Sequence, residues 1–173
     1  MSEIFSIGHS TRSIESFLSL LKAHSIRAVA DVRKIPHSRR NPQYGSDELA
    51  HSLSAADIRY VRIPELGGLR RRQPDSHNGG WHNASFQGYA DHMESEEFER
   101  GLGKLLDLAN EHGPVAMMCA EAVPWRCHRT LISDVLAARG IVVRHITGPG
   151  SPREHSVTRF ARIEGQRVIY PPE

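Results

Sequence analysis

The amino-acid sequence predicts a single-domain, doubly wound α/β fold: a mostly parallel, five-stranded sheet with helices on both faces and a C-terminal hairpin. Three observations carry this expectation. Short apolar runs alternate with stretches whose apolar residues recur at helical spacing. The runs lack the polar alternation of a half-exposed strand, as parallel strands covered on both faces do. Most of them also end on residue types that do chemistry, namely His, Asp, Arg, Cys or Glu.

The first strand covers residues 4–7 and closes on Gly8-His9-Ser10-Thr11. Thr11 or Ser13 can cap the next helix, whose Ile14, Phe17, Leu18 and Leu21 share one face. A second strand at 28–32 runs into Asp31-Val32-Arg33 and then a polar loop, 34–45, with two prolines and three basic residues. A helix near 47–56 leads to a third strand at 58–63. The pattern then breaks. Residues 64–83 hold Gly67-Gly68, Arg70-Arg71-Arg72 and Trp81 without periodicity, and so long a run inside one domain reads as a lid or binding loop. Helices are expected at 86–93 and 96–111, and a fourth, apolar strand at 115–119. Leu131, Ile132, Val135 and Leu136 then recur at helical spacing until Gly140, in a helix expected to open at Cys127. A fifth strand follows at 141–146, and 157–163 with 167–170 flank Glu164-Gly165 as a hairpin.

A chain of 173 residues with 39% hydrophobic and 24% charged content is that of one globular domain rather than a disordered segment. A formal net charge of +2 argues against a broad phosphate-binding surface. The N-terminus enters a strand without a basic segment or a long apolar stretch, so a cytoplasmic protein with no membrane partner is expected. There, two cysteines are more often thiols, catalytic groups or ligands than a structural staple.

Both cysteines fall in one stretch, Cys119-Ala120-Glu121-Ala122-Val123-Pro124-Trp125-Arg126-Cys127-His128-Arg129, where strand turns into helix. A helix N-terminus favours negative charge, and a thiol there ionises more readily. If the strands are parallel, their C-terminal ends bring His9-Ser10, Asp31 with Arg33, Glu65 with Gly67-Gly68, Cys119 with Glu121, and His145 to one sheet edge. Open α/β sheets bind ligands outside that edge.

The ordered series Ile7-Gly8-His9-Ser10, Asp31-Val32-Arg33, Leu66-Gly67-Gly68, Phe86-Gln87-Gly88-Tyr89-Ala90-Asp91-His92-Met93, Cys119-Ala120-Glu121 and Cys127-His128-Arg129 resembles the family known as domain of unknown function 488, from about Ile4 to Pro172. The resemblance implies a soluble bacterial or archaeal α/β protein and no established activity, so roles must come from chemistry.

Three readings follow, and whether the chain is an enzyme stays open among them. In the first, Cys127 or Cys119 is a reactive thiol acting on a small anionic substrate. His128 or His9 carries the proton, Glu121 and Asp31 are the carboxylates, and Arg33, Arg126 and Arg129 clamp the anion, with Ser10, Gly67, Gly68 and Trp81 as further contacts. Cysteine phosphatases and rhodaneses use the same logic, but the seven-residue step from Cys119 to Arg126 is one longer than theirs. In the second, Cys119, Glu121, Cys127, His128 and His9 hold a zinc or iron ion. Cys119-Ala120-Glu121 is similar to the zinc deaminases, although the next cysteine comes too soon and Pro124 would break their helix. The third is a nucleotide or nucleic-acid binder using Arg39-Arg40, Arg70-Arg71-Arg72, Tyr44, Trp81 and Trp125, which the low net charge disfavours.

Overall fold

The five long apolar runs pair side by side. In the computed structural model, which describes residues 3–37 and 39–173, β1 (Glu3–Gly8), β2 (Ala28–Asp31), β3 (Arg59–Arg62), β4 (Val115–Cys119) and β5 (Val142–Ile146) form a parallel sheet in the order β3-β2-β4-β1-β5. A sixth strand, β6 (Arg153–Glu154), adds antiparallel to the edge of β5. Two residues are too few for periodicity, which is why the sequence predicts five strands and not six. The C-terminal hairpin pairs β7 (Arg162–Glu164) with β8 (Arg167–Ile169), turning at Gly165, whose φ of +66° suits glycine.

Helices cover both faces. α1 (Ile14–Ala23) is capped by Ser13, whose hydroxyl accepts the Ser16 N–H at 3.1 Å; with α2 (Ser46–Ala55) it contributes Phe17, Leu21, Leu49 and Leu53 to a core with Phe5 and Ile7. α3 (Ala84–His92), α4 (Glu96–His112) and α5 (Arg129–Ala138) close the other face, where Tyr89, Leu102, Leu105, Leu131 and Leu136 meet Ile4. Successive strand residues point to opposite faces. In β4, Ala116 and Met118 join the first core while Val115, Met117 and Cys119 join the second, which sets Cys119 on the same face as α5.

Neighbouring β1 and β4 therefore send their following helices, α1 and α5, to opposite faces, and the parting of their loops opens a crevice between them. Backbone bonds prolong the pairing beyond both strands: His9 N–H to Cys119 O at 2.9 Å and Ser10 N–H to Ala120 O at 3.0 Å. The approach is so close that a Cβ on Gly8 would lie 1.5 Å from the Glu121 carbonyl oxygen.

One expectation needs correction. α5 opens at Arg129 rather than Cys127, because Pro124–Arg126 forms a 3₁₀ turn and Cys127 is extended, one residue before His128 at the N-cap position. In the loop 64–83, after the 3₁₀ turn Pro64–Leu66, Gly68 and Leu69 border the cavity at the C-terminal sheet edge. Further along, the Asp91 carboxylate accepts from Gln73 N–H (2.7 Å), Ser76 Oγ (2.6 Å) and Asn78 Nδ2 (2.7 Å). Among the described residues, no helix is long and apolar enough to cross a membrane.

Candidate active site

At the C-terminal sheet edge a cavity of about 300 Å³ opens over the ends of β1, β2 and β4. Cys119, from the end of β4, and Cys127, from just before α5, form its floor with their sulfurs 2.6 Å apart. Arg129 lies beneath them with no solvent exposure. Its Nε donates to Cys119 Sγ (3.0 Å), its Nη1 to Ser6 Oγ (2.9 Å) and its Nη2 to Glu121 O (2.7 Å), while its backbone N–H reaches Cys127 Sγ at 3.4 Å.

A guanidinium stays protonated, and a buried charge needs a counter-charge. Among the described residues no carboxylate pairs with Arg129, and the thiol pair is in contact with it and able to supply the counter-charge. Burial pushes the Cys127 thiol up, but the hydrogen bond from Cys119 and the charge and backbone N–H of Arg129 outweigh it and bring Cys127 down to about 7. Burial and the neighbouring Cys127 hold Cys119 well above its ordinary value. As pH rises through about 7 the pair gives up its first proton, and the thiol favoured to lose it is Cys127.

His128 completes the floor. Its Nε2–H donates to Val32 O at 2.8 Å, which leaves the lone pair of Nδ1 facing Cys127 Sγ at 3.5 Å. Burial lowers its pKa below the ordinary 6.5, so the ring is an unprotonated base at neutral pH.

The ends of β1 and β2 supply the adjoining wall. Asp31 grips Arg33 through two parallel bonds, Nε to Oδ1 at 2.9 Å and Nη2 to Oδ2 at 2.7 Å, and also accepts from Tyr60 OH at 2.6 Å. The Arg33 charge is thus cancelled inside the fold. His9 donates from Nδ1 to Ser10 O (2.8 Å), accepts at Nε2 from Arg33 Nη1 (3.5 Å) and stacks on Tyr44 at 4.1 Å. Burial lowers its pKa to about 4, leaving it neutral with both nitrogens engaged. Asp31, Arg33 and His9 therefore hold one another at the cavity wall. Lys34 and Arg126 line the cavity and have no ion-pair partner among the described residues. Ile35 and Leu69, 53% and 73% exposed, join Phe86 in an apolar mouth.

Other expected contacts are placed differently. Glu121 meets Arg129 through its carbonyl, and its side chain stands at the exposed rim. Ser10 holds the β1–β4 loops together. Gly67 packs under Lys34, where a Cβ would come within 2.9 Å of Lys34 Cα, whereas Gly68 faces the site, a Cβ there lying 3.3 Å from His128 Nδ1. Trp81 sits among Phe86, Phe160 and Tyr170, away from the cavity lining. Of the residues of the nucleic-acid reading, Tyr44 is wholly buried and Arg70 is bound to Glu97 at 3.0 Å, while Trp125 is exposed. The metal reading also lacks its ligands. Among the described residues, no three His, Cys, Asp or Glu side chains are arranged to hold an ion. The Arg129 cation, not a metal, is the positive group set against Cys119 Sγ, at 3.0 Å.

Fold and site together define an α/β protein with a paired-thiol pocket at the C-terminal edge of a parallel sheet, built where two adjacent strands send their helices to opposite faces. The family described as Domain of unknown function DUF488 matches residues 13–136, and the chain belongs to it. That stretch contains Asp31, Arg33, both cysteines, His128 and Arg129, and stops short of His9 and His145. No curated protein and no solved structure matches the chain.

Proposed function

We propose that the protein is a thiol-dependent enzyme acting on a small anionic substrate, with Cys127 as nucleophile. The observation that carries this reading is the fully buried Arg129, with no carboxylate partner among the described residues, set against a thiol pair at the floor of an open cavity. The Cys127 thiolate attacks the electrophilic centre of the substrate, the leaving group departs with its electron pair, and a covalent thio-intermediate forms. Water then releases that intermediate while His128 Nδ1 takes its proton. Lys34 and Arg126 attract the anionic group, and Ile35, Leu69 and Phe86 receive an apolar portion.

The test is alkylation at graded pH. Cys127 should react with iodoacetamide with a midpoint near 7, and with anionic iodoacetate faster than a free thiol does relative to iodoacetamide. Equal reactivity with a free thiol at neutral pH would sink the reading.

The 2.6 Å contact between the sulfurs favours a second reading, a two-electron dithiol couple. Cys127 would attack a substrate disulfide and Cys119 would displace the mixed disulfide, closing a protein disulfide and releasing two substrate thiols. Cys119→Ser separates the two: a hydrolytic nucleophile keeps turning over without Cys119, whereas the couple stops at the mixed disulfide.

A further inference from the structure

Behind the cavity floor, a line of polar side chains, none of them lining the cavity, runs away from Arg129. Ser6 Oγ, which accepts from Arg129 Nη1, lies 2.5 Å from His145 Nδ1; His145 Nε2 is 2.9 Å from His155 Nδ1; and His155 Nε2 is 2.7 Å from Asp134 Oδ1. The fully buried Asp134 also accepts the Thr158 N–H (3.0 Å) and the Tyr170 hydroxyl (2.7 Å). The line joins β1, β5, the segment after β6, and α5.

The carboxylate end orders the line: a carboxylate only accepts, so His155 gives the hydrogen on its Nε2 to Asp134. With one hydrogen on each ring, His155 Nδ1 accepts from His145 Nε2, His145 Nδ1 accepts from Ser6 Oγ, and Ser6 Oγ accepts from Arg129, which can only donate. Each donor meets an acceptor. The groups facing His145 are Ser6 from β1, Arg129 from α5, and His155 and Arg153 from the β6 segment. Burial, then His155 and Arg129, hold its pKa at about 3, so Nδ1 remains an acceptor.

Resting on the nucleophile reading above, we infer that Ser6, His145, His155 and Asp134 are positioning residues which lock the plane of the Arg129 guanidinium, keeping its Nε on Cys119 and its charge against the thiol pair, so that the pair gives up its first proton at lower pH. A fork held at Nη1 by Ser6 and at Nη2 by the Glu121 carbonyl has one orientation left, and in it Nε points at sulfur. Released at Nη1, it can swing. A purely structural staple would change stability and leave the reactivity of Cys127 untouched.

Ser6→Ala cuts the line beside Arg129 with little change in volume, and Tyr170→Phe removes a bond to Asp134 that lies outside it. Ser6→Ala should raise the pH midpoint of Cys127 alkylation by about one unit, a roughly tenfold slower reaction below the midpoint. Tyr170→Phe should lower the melting temperature and leave the midpoint where it is. The wild type supplies a reading that does not depend on how the variants fold: nitrogen NMR of the imidazoles should find His145 and His155 both protonated on Nε2 and bare on Nδ1. A Ser6→Ala midpoint equal to a low wild-type one, or a His145 ring protonated on Nδ1, overturns this inference alone. A wild-type midpoint at the free-thiol value sinks the nucleophile reading with it.

Discussion

Arg129→Met tests the electrostatic core of the site. Methionine fills a similar volume and removes the charge and the three side-chain donors that reach Cys119, Ser6 and Glu121. With the cation gone, Cys127 should rise from about 7 toward its ordinary value of 9, since only the Cys119 hydrogen bond and the backbone N–H of residue 129 then offset burial. At neutral pH the thiolate population falls, by roughly fifty-fold if the ordinary value is reached. The stability cost is separate. Hydrogen bonds to a charged group contribute about 1.5–3 kcal/mol each, but part is regained because an ion no longer has to be buried, so a net loss of about 3 kcal/mol is expected. The assay is stopped-flow alkylation by iodoacetamide between about pH 5 and about pH 10, on variant shown to be folded by circular dichroism, with Arg129→Lys keeping the charge but not the fork. A folded Arg129→Met protein whose Cys127 still titrates near 7 would refute the reasoning, because its ionisation would then owe nothing to the guanidinium.

Three further outcomes follow from the geometry. Gly8→Ala places a methyl 1.5 Å from the Glu121 carbonyl oxygen, so the β1 and β4 ends must separate, and a loss of about 3 kcal/mol or failure to fold is expected in denaturant titration. Gly68→Ala, whose Cβ would stand 3.3 Å from His128 Nδ1, should leave the melting temperature nearly unchanged and slow turnover by displacing the imidazole. Acid should destabilise the fold through its buried histidines. His9 and His145 are held at about 4 and about 3, whereas the unfolded chain takes up protons from 6.5 downward, so their contribution is complete above 6.5 and is lost as pH falls toward 4. The slope approaches about 1.4 kcal/mol per pH unit for each ring, measured as the shift in denaturant midpoint. Cys127 acts at the other end: an acid ionising at about 7 when folded and near 9 when free adds stability as pH rises between those values.

Much of this architecture was legible from apolar spacing. The strand at 115–119 and the start of α4 fall where the sequence puts them, because a buried parallel strand and a capped amphipathic helix have unambiguous patterns. The start of α5 was misread since Pro124 can begin a tight turn as readily as it can precede a helix. At the site, apolar spacing puts the ends of β1, β2 and β4 at one edge, where the cavity opens with Glu65 and His145 outside its lining, but spacing does not tell a paired charge from an unpaired one. Arg33 looks like a clamp until Asp31, two residues earlier, is seen to hold it. Lys34, which has no ion-pair partner among the described residues, reads as an ordinary loop residue. Ser6 and Asp134 did leave a signal, each a polar residue on an otherwise apolar face, but single polar interruptions do not name their partner. The partner of Ser6, His145, lies 139 positions away.

The missing side chain at position 8 ties the soundness of the fold to the readiness of the chemistry. Because the Glu121 carbonyl rests directly on that bare backbone and in turn receives Arg129 Nη2, pairing the two central strands also fixes one of the contacts that hold the cation under the sulfurs. Damage that loosens this junction should therefore be felt in stability and in thiol ionisation together.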